Sequence, residues 1–262
     1  MEEQSRGICR LSIVPVRKEP AHNSEMVTQL LFGDHYKVLS VTPDRNWLHI
    51  MNYFDNYEGW IDIKQHKEIS EEYFHDLINN ELKISTDITT SILYRKKTLQ
   101  IVMGSVLPFA NNELFDIEEH FAFNGESKDL GQKRDFEYIR TIALKYLNTP
   151  YLWGGKTPFG IDCSGFVQMV FMISGYKLKR DTFEQVRQGL TVEELKNARP
   201  GDLAFFSDKE GKIRHVGIIF EENKIIHASG SVRIDILNQN GIFNEKNKIQ
   251  THKLNCIKRI LK

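Results

Sequence analysis

Apolar and polar positions divide the chain into a first part that alternates and a second part that changes period. Short segments at residues 11–16, 36–41, 47–51 and 59–63 alternate and are punctuated by Pro, Gly and Asp. That pattern predicts an all-β barrel. Residues 69–127 are mixed, with helical spacing over 70–78 and strand-like runs at 98–102 and 104–109, and the polar run 124–133 reads as a linker. Beyond it Phe136, Ile139, Ile142, Ala143, Tyr146 and Leu147 recur at helical spacing. A further helix is predicted over 181–188, with Asp181 or Thr182 as N-cap and Gly189 behind it. Pro200, Gly201 and Asp202 then turn into a strand at 203–206. Helices first and antiparallel strands after them make an α+β domain. The expected division is 1–68, 69–127 and 128–262.

Composition adds little to this picture but excludes several partners. The chain has 262 residues, 40% hydrophobic and 27% charged, as in a globular protein that buries an ordinary core. Thirty-five basic and thirty-five acidic side chains cancel, without long blocks of either sign. Neither nucleic acid nor an anionic membrane is therefore expected as a partner, and a small neutral or zwitterionic substrate fits better. The N-terminus lacks a basic and apolar leader, and no apolar run approaches the roughly 20 residues of a membrane span. Cys9, Cys163 and Cys256 are far apart and odd in number, which suits a reducing compartment with one working thiol. A cytoplasmic location is expected on these grounds, or an extracytoplasmic one if a leader has been trimmed.

The candidate chemistry starts at Cys163. It follows the glycine-rich stretch 151–162 and opens an apolar-periodic segment, so it is expected in the first turn of a helix, where aligned amides favour a thiolate. An isolated cysteine is more often a small buried residue. Here, however, two histidines follow on short β-branched runs, His215 at 214–220 and His227 at 224–229, which read as a hairpin around Glu221, Glu222 and Asn223. A three-residue loop would place His227 opposite Gly217 and on the same face as His215. A two-residue loop would put the histidines on opposite faces. A triad needs the first arrangement: His215 acts on Cys163, and His227 orients His215. The Cys and His residues lack the close pairing of a zinc site, so no metal and no cofactor are expected.

These residues resemble the NlpC-type cysteine peptidases, papain-like enzymes that cleave bacterial cell-wall peptides. The likeness covers roughly the last 130 residues and rests on Tyr151, Trp153, Gly154 and Gly155; Gly160, Asp162, Cys163, Ser164 and Gly165; Arg199 to Leu203; His215 and Gly217; and Ile226, His227 and Ala228. It implies Cys163 as nucleophile, His215 as general base and then acid, and His227 as the orienting group. The Cys163 amide and the Tyr151 hydroxyl would stabilise the oxyanion. Asp162, Ser164 and Trp153 would line the cleft. Arg180, Asp181 and Thr182 match an Arg-Asp-Ser pattern in which the aspartate holds the free α-amine of the substrate, with Thr182 replacing the serine. Residues 16–60 resemble a bacterial SH3-like domain, and 69–127 are expected to form a divergent second one. In related two-barrel enzymes the first barrel narrows the cleft, which would bring Tyr57 and Glu25 to the substrate.

The resemblance therefore implies a monomeric dipeptidyl peptidase that releases L-Ala-γ-D-Glu from small cell-wall stem peptides by cutting before lysine or diaminopimelate. Two other readings remain: a secreted endopeptidase acting on intact wall, and a non-catalytic binder of cell-wall peptides.

Overall fold

In the computed structural model, which describes residues 5–107 and 121–261, the chain forms two compact units, Met1–Gln132 and Lys133–Lys262. In the first unit the alternating segments form a seven-stranded antiparallel sheet. Its order is Met26–Leu31, Ile13–Arg17, Glu58–Asp62, Trp47–Asn52, His35–Val41, Arg6–Ile8 and Lys67–Ile69. The inward positions of each strand, among them Val14, Val16, Tyr36, Leu48, Ile50 and Ile61, make one buried cluster. This is the outcome that a period of two with one buried face dictates.

The described residues of 69–127 form strands and one helix that do not by themselves show the expected second barrel. Ser70 caps the helix Glu71–Asn79 by accepting from the Tyr73 amide. Two three-stranded sheets follow, built on Thr89–Tyr94 and on Lys83–Ser85, and a discrete second barrel is not shown. The aromatic core of this region, with Ile92, Ile101, Phe121 and Phe123, also takes in Phe32 from the first sheet. The backbone continues the join: the Val106 amide donates to the Phe32 carbonyl at 2.8 Å. Pro108 and Phe109, at the end of one expected strand, lie outside the described residues.

The second unit has helices first and strands after. The helix Phe136–Lys145, capped by Asp135, buries Ile139, Ile142 and Ala143. It packs on the helix Cys163–Ile173, every residue of which is buried. The sheet runs in the order Leu190–Val192, Ile249–Arg259, Leu203–Ser207, Ile213–Glu221, Lys224–Ser229, Ser231–Asn238 and Gly241–Asn244. Gly241–Asn244 also pairs with the first half of Ile249–Arg259, so six of the strands close on themselves. Ala204, Phe206, Ile219, Ile225, Leu237, Ile242 and Ile257 form the cluster on one face of this closed sheet. The Cys163–Ile173 helix packs against the two strands that carry His215 and His227.

Candidate active site

Cys163 reaches the helix start through a loop whose glycines pack closely against the first turn. A Cβ on Gly165 would lie 2.3 Å from the Gly155 carbonyl oxygen, so the first turn sits directly against the loop backbone. Asp162 is the N-cap: its carboxylate accepts from the Gly165 amide at 2.7 Å and from the Gly154 amide at 2.8 Å. The same carboxylate receives the Arg180 guanidinium on both oxygens, at 2.9 and 2.6 Å. Arg180 also donates to the Ser164 hydroxyl at 2.8 Å and is 1% exposed. Asp162 and Ser164, expected in the cleft wall, are therefore buried and engaged in holding the Cys163 turn in place.

On the sheet the two histidines share a face, because Gly217 pairs with His227. The loop differs from the expected one. Glu221 pairs with Lys224, leaving a two-residue turn in which Asn223 takes a left-handed φ of 58°. A bulge between Ile219 and Glu221 then adds the one residue that restores the register. Gly217 is needed here as well, since a Cβ on it would stand 2.9 Å from the His227 Cβ.

A hydrogen-bonded chain results. His215 Nε2 lies 2.9 Å from His227 Nδ1, and His227 Nε2 lies 3.0 Å from Asp235 Oδ2. Arg233 Nε donates to the same Asp235 oxygen at 2.8 Å. His252 stacks on the other side of His215, with ring centroids 4.2 Å apart and planes at 26°. Tyr151, Cys163, Arg214, His215, Gly230 and His252 are among the residues that line a cavity of about 300 Å³.

The electrostatics of this site run against the helix-start expectation for the thiol. A helix N-terminus stabilises an anion by about 0.3–1 kcal/mol, less than one pKa unit. Burial of Cys163 is larger in effect and pushes the thiol from 9.0 up to about 12, helped by the Asp162 carboxylate and opposed by backbone hydrogen bonds from Val216 and Ser164. His215 goes the other way. Burial first, and then the neighbouring His227, His252 and Arg233, hold it well below 6.5. His227 is lowered by burial but drawn back up by Asp235. His252 falls to about 4, mainly through burial. Burial thus disfavours both the Cys163 thiolate and the His215 imidazolium. Tyr151 is raised by burial and by the nearby Cys163 and Asp162, so its hydroxyl stays a proton donor.

The remaining expected site residues are placed less centrally. Asp181 is the N-cap residue of the single turn Thr182–Gln185, but its carboxylate makes no capping bond to that turn. Trp153 is 61% exposed beside the nucleophile loop. Tyr57 is half-buried in the first unit, and Glu25, also there, is exposed and 3.4 Å from Lys18. Asp235, Arg233 and His252 are absent from the sequence reading. A signal existed for the first two: Ser229, Gly230 and Ser231 form a tight turn in which His227 pairs with Arg233 and Asp235 falls diagonal to His227 on the same face. For His252 the face is fixed by pairing of the last strand with Gly241–Asn244, where it lies opposite Ile242, and with the distant Leu203–Ser207.

Comparison with known proteins agrees with this architecture. Residues 148–252 match the NlpC/P60 family, and residues 16–65 match the bacterial dipeptidyl-peptidase SH3 domain. A γ-D-glutamyl-L-lysine dipeptidyl-peptidase of Bacillus subtilis is 30% identical over 224 residues, which is 77% of this chain and 71% of that protein. Dipeptidyl-peptidase 6 of Lysinibacillus sphaericus is 27% identical over 80% of this chain and 83% of its own. The crystal structure of an NlpC/P60 family protein from Bacillus cereus superposes with a TM-score of 0.82 over 98% of this chain and 100% of that one, at 19% identity, which extends the likeness in fold. With a nucleophile helix packed on a histidine-bearing sheet and an SH3-like domain ahead of it, the chain belongs to the NlpC/P60 family of cysteine peptidases.

Proposed function

We propose that the protein is a dipeptidyl peptidase of cell-wall peptide recycling, hydrolysing the bond between γ-D-Glu and the diamino acid of stem peptides that carry a free N-terminal L-Ala. The observation that carries the chemistry is the chain from His215 through His227 to Asp235 beside a buried cysteine at a helix start. Cys163 passes its proton to His215 as Sγ bonds to the scissile carbonyl carbon. The oxyanion that forms is held by the Cys163 amide and the Tyr151 hydroxyl. His215 gives the proton to the departing amine, leaving a thioester. Water, with His215 as base, then frees L-Ala-γ-D-Glu and the thiol.

Transfer of the proton during attack suits a neutral resting pair better than a preformed ion pair would, because burial disfavours both charges. The amine-reading part of the proposal rests on the match of Arg180, Asp181 and Thr182 to the Arg-Asp-Ser pattern, since a carboxylate there is suited to pairing with an ammonium. The names of the Bacillus subtilis and Lysinibacillus sphaericus relatives support the dipeptide-releasing reading over cutting of intact wall. Tyr57 and Glu25 are proposed to contact the substrate's amino-terminal end, residues 69–127 to be a divergent second SH3-like domain, and the cytoplasm to be the site of action. The test is mass spectrometry of products from L-Ala-γ-D-Glu-L-Lys and its diaminopimelate counterpart. The wild-type protein should release L-Ala-γ-D-Glu. A Cys163→Ala protein that releases it equally well would end this reading.

A further inference from the structure

We infer that Asp235 is a positioning residue that sets the direction of the proton chain through both histidines, so that Nδ1 of His215 is the nitrogen left to act on Cys163. The inference deepens the peptidase reading above and rests on it.

A neutral imidazole carries one N–H and one lone pair, so two imidazoles joined by a hydrogen bond can be arranged in either of two directions. In the forward direction His215 Nε2–H donates to His227 Nδ1, across the observed 2.9 Å, and His227 carries its own proton on Nε2. In the reverse direction His227 Nδ1–H donates to His215 Nε2, and His215 carries its proton on Nδ1. The two histidines alone do not choose between these. Only the forward one leaves a lone pair on His215 Nδ1, and the reverse one turns the candidate base into a donor facing a thiol.

Asp235 breaks the tie. Its Oδ2 lies 3.0 Å from His227 Nε2, so the forward direction makes a charge-assisted hydrogen bond, whereas the reverse one sets a nitrogen lone pair against a carboxylate oxygen. His227 is fully buried and the Asp235 side chain is 8% exposed, which leaves little water to screen that difference. The carboxylate is itself held from two sides. Arg233 Nε donates to Oδ2 at 2.8 Å while its Nη1 donates to the Ser229 carbonyl, and Asn244 Nδ2 approaches Oδ1 at 3.4 Å. Ser229 and Ser231 flank the tight turn that fixes this register. Arg233 thus fixes the carboxylate, the carboxylate fixes the His227 proton, and the His227 proton fixes that of His215.

The test reads tautomers directly and does not require activity. In full-length protein labelled with 15N at its nine histidines, long-range 1H–15N spectra report which ring nitrogen bears the proton. Signals are assigned by their loss in His215→Gln and His227→Gln. The expected wild-type result is a proton on Nε2 of both His215 and His227. In Asp235→Ala the preference should collapse to a mixture or reverse, and kcat should fall about 10- to 100-fold with KM little changed. Asp235→Asn should keep the wild-type tautomers, because Arg233 Nε selects the amide oxygen for the Oδ2 position, and its kcat should fall less than that of the alanine variant. A wild-type proton on Nδ1 of either histidine would overturn the inference, as would an Asp235→Ala protein with unchanged tautomers. Either result leaves the dependence on Cys163 intact, whereas hydrolysis by Cys163→Ala would remove the peptidase reading and leave the tautomers as they are.

Discussion

Of the aspartate–arginine pairs in the second unit, those of Asp162 with Arg180 and of Asp235 with Arg233 differ in what the carboxylate also holds. Asp162 and Arg180 form a closed, two-oxygen ion pair in which each group also satisfies the other's surroundings, through the helix-start amides and the Ser164 hydroxyl. Asp235 offers a single oxygen both to Arg233 and to His227. The first pair is an endpoint, so its role is to hold the Cys163 turn. The second is open at one end, and the open end leads through His227 to His215, which lines the same cavity as Cys163. An Asp–Arg pair beside an active site is therefore structural or functional according to what the remaining lone pairs of the carboxylate face, not according to its distance along the chain from the nucleophile.

The comparison can be broken at either end. The largest effect expected is on chemistry. Cys163→Ala should leave no measurable turnover, and His215→Ala should lower kcat by about 10²- to 10⁴-fold through loss of acid–base transfer, both with folding unchanged by circular dichroism. Breaking the closed pair should do the opposite. Arg180→Leu leaves a buried carboxylate without its partner and should cost about 3–5 kcal/mol of stability in chemical denaturation, whereas Lys224→Ala at the exposed pair with Glu221 should cost under about 1 kcal/mol. Equal effects would remove the distinction between a locked pair and a surface one.

The pH dependence sharpens the account further. The reactive form holds one proton on the Cys163–His215 pair. It is lost by adding a second proton to His215, which burial keeps below 6.5, or by removing the last one, with the thiol raised to about 12. On the acid side kcat/KM should therefore stay level as the pH falls through 6.5 and decline only below it, whereas on the alkaline side loss of the substrate's α-ammonium, at about 8, should come before loss of the last proton from the pair. A rate profile from about pH 4 to 11 checks this, and an acid limb at or above 6.5 would mean that the site is more hydrated than its burial implies. The smallest effect belongs to His252. Removing its stacked ring in His252→Ala should reduce kcat only several-fold, about 0.5–1.5 kcal/mol, and His252→Phe should restore most of it, since stacking and not charge is what the ring contributes when His252 titrates at about 4.

What the sequence disclosed follows from the range of each interaction. The first sheet was legible strand by strand because alternation is a local signal. Cys163, His215 and His227 stood out because each sits in a short motif, and the pairing of Gly217 with His227 followed from the need for a common face. The route to that register, a two-residue turn corrected by a bulge, was not legible, because one extra residue in either place has the same outcome. Arg180 and Asp162, 18 residues apart, meet only once the nucleophile helix is docked. For Cys163 the helix start that favours a thiolate is written in the sequence, whereas the burial that opposes it is a property of the whole unit. The strands within residues 69–127 are local signals, whereas the place of Phe32 in their core is not.

The central proposal is that this cysteine peptidase reads a free amine through Asp181. It is tested most directly by comparing kcat/KM for L-Ala-γ-D-Glu-L-Lys with that for the same tripeptide acetylated at its amino terminus, in wild-type protein and in Asp181→Ala. The account predicts a loss of about 10- to 100-fold or more on acetylation in the wild type, and a comparable loss on the free tripeptide when Asp181 is removed. Equal cleavage of the free and acetylated peptides by the wild-type protein would contradict it.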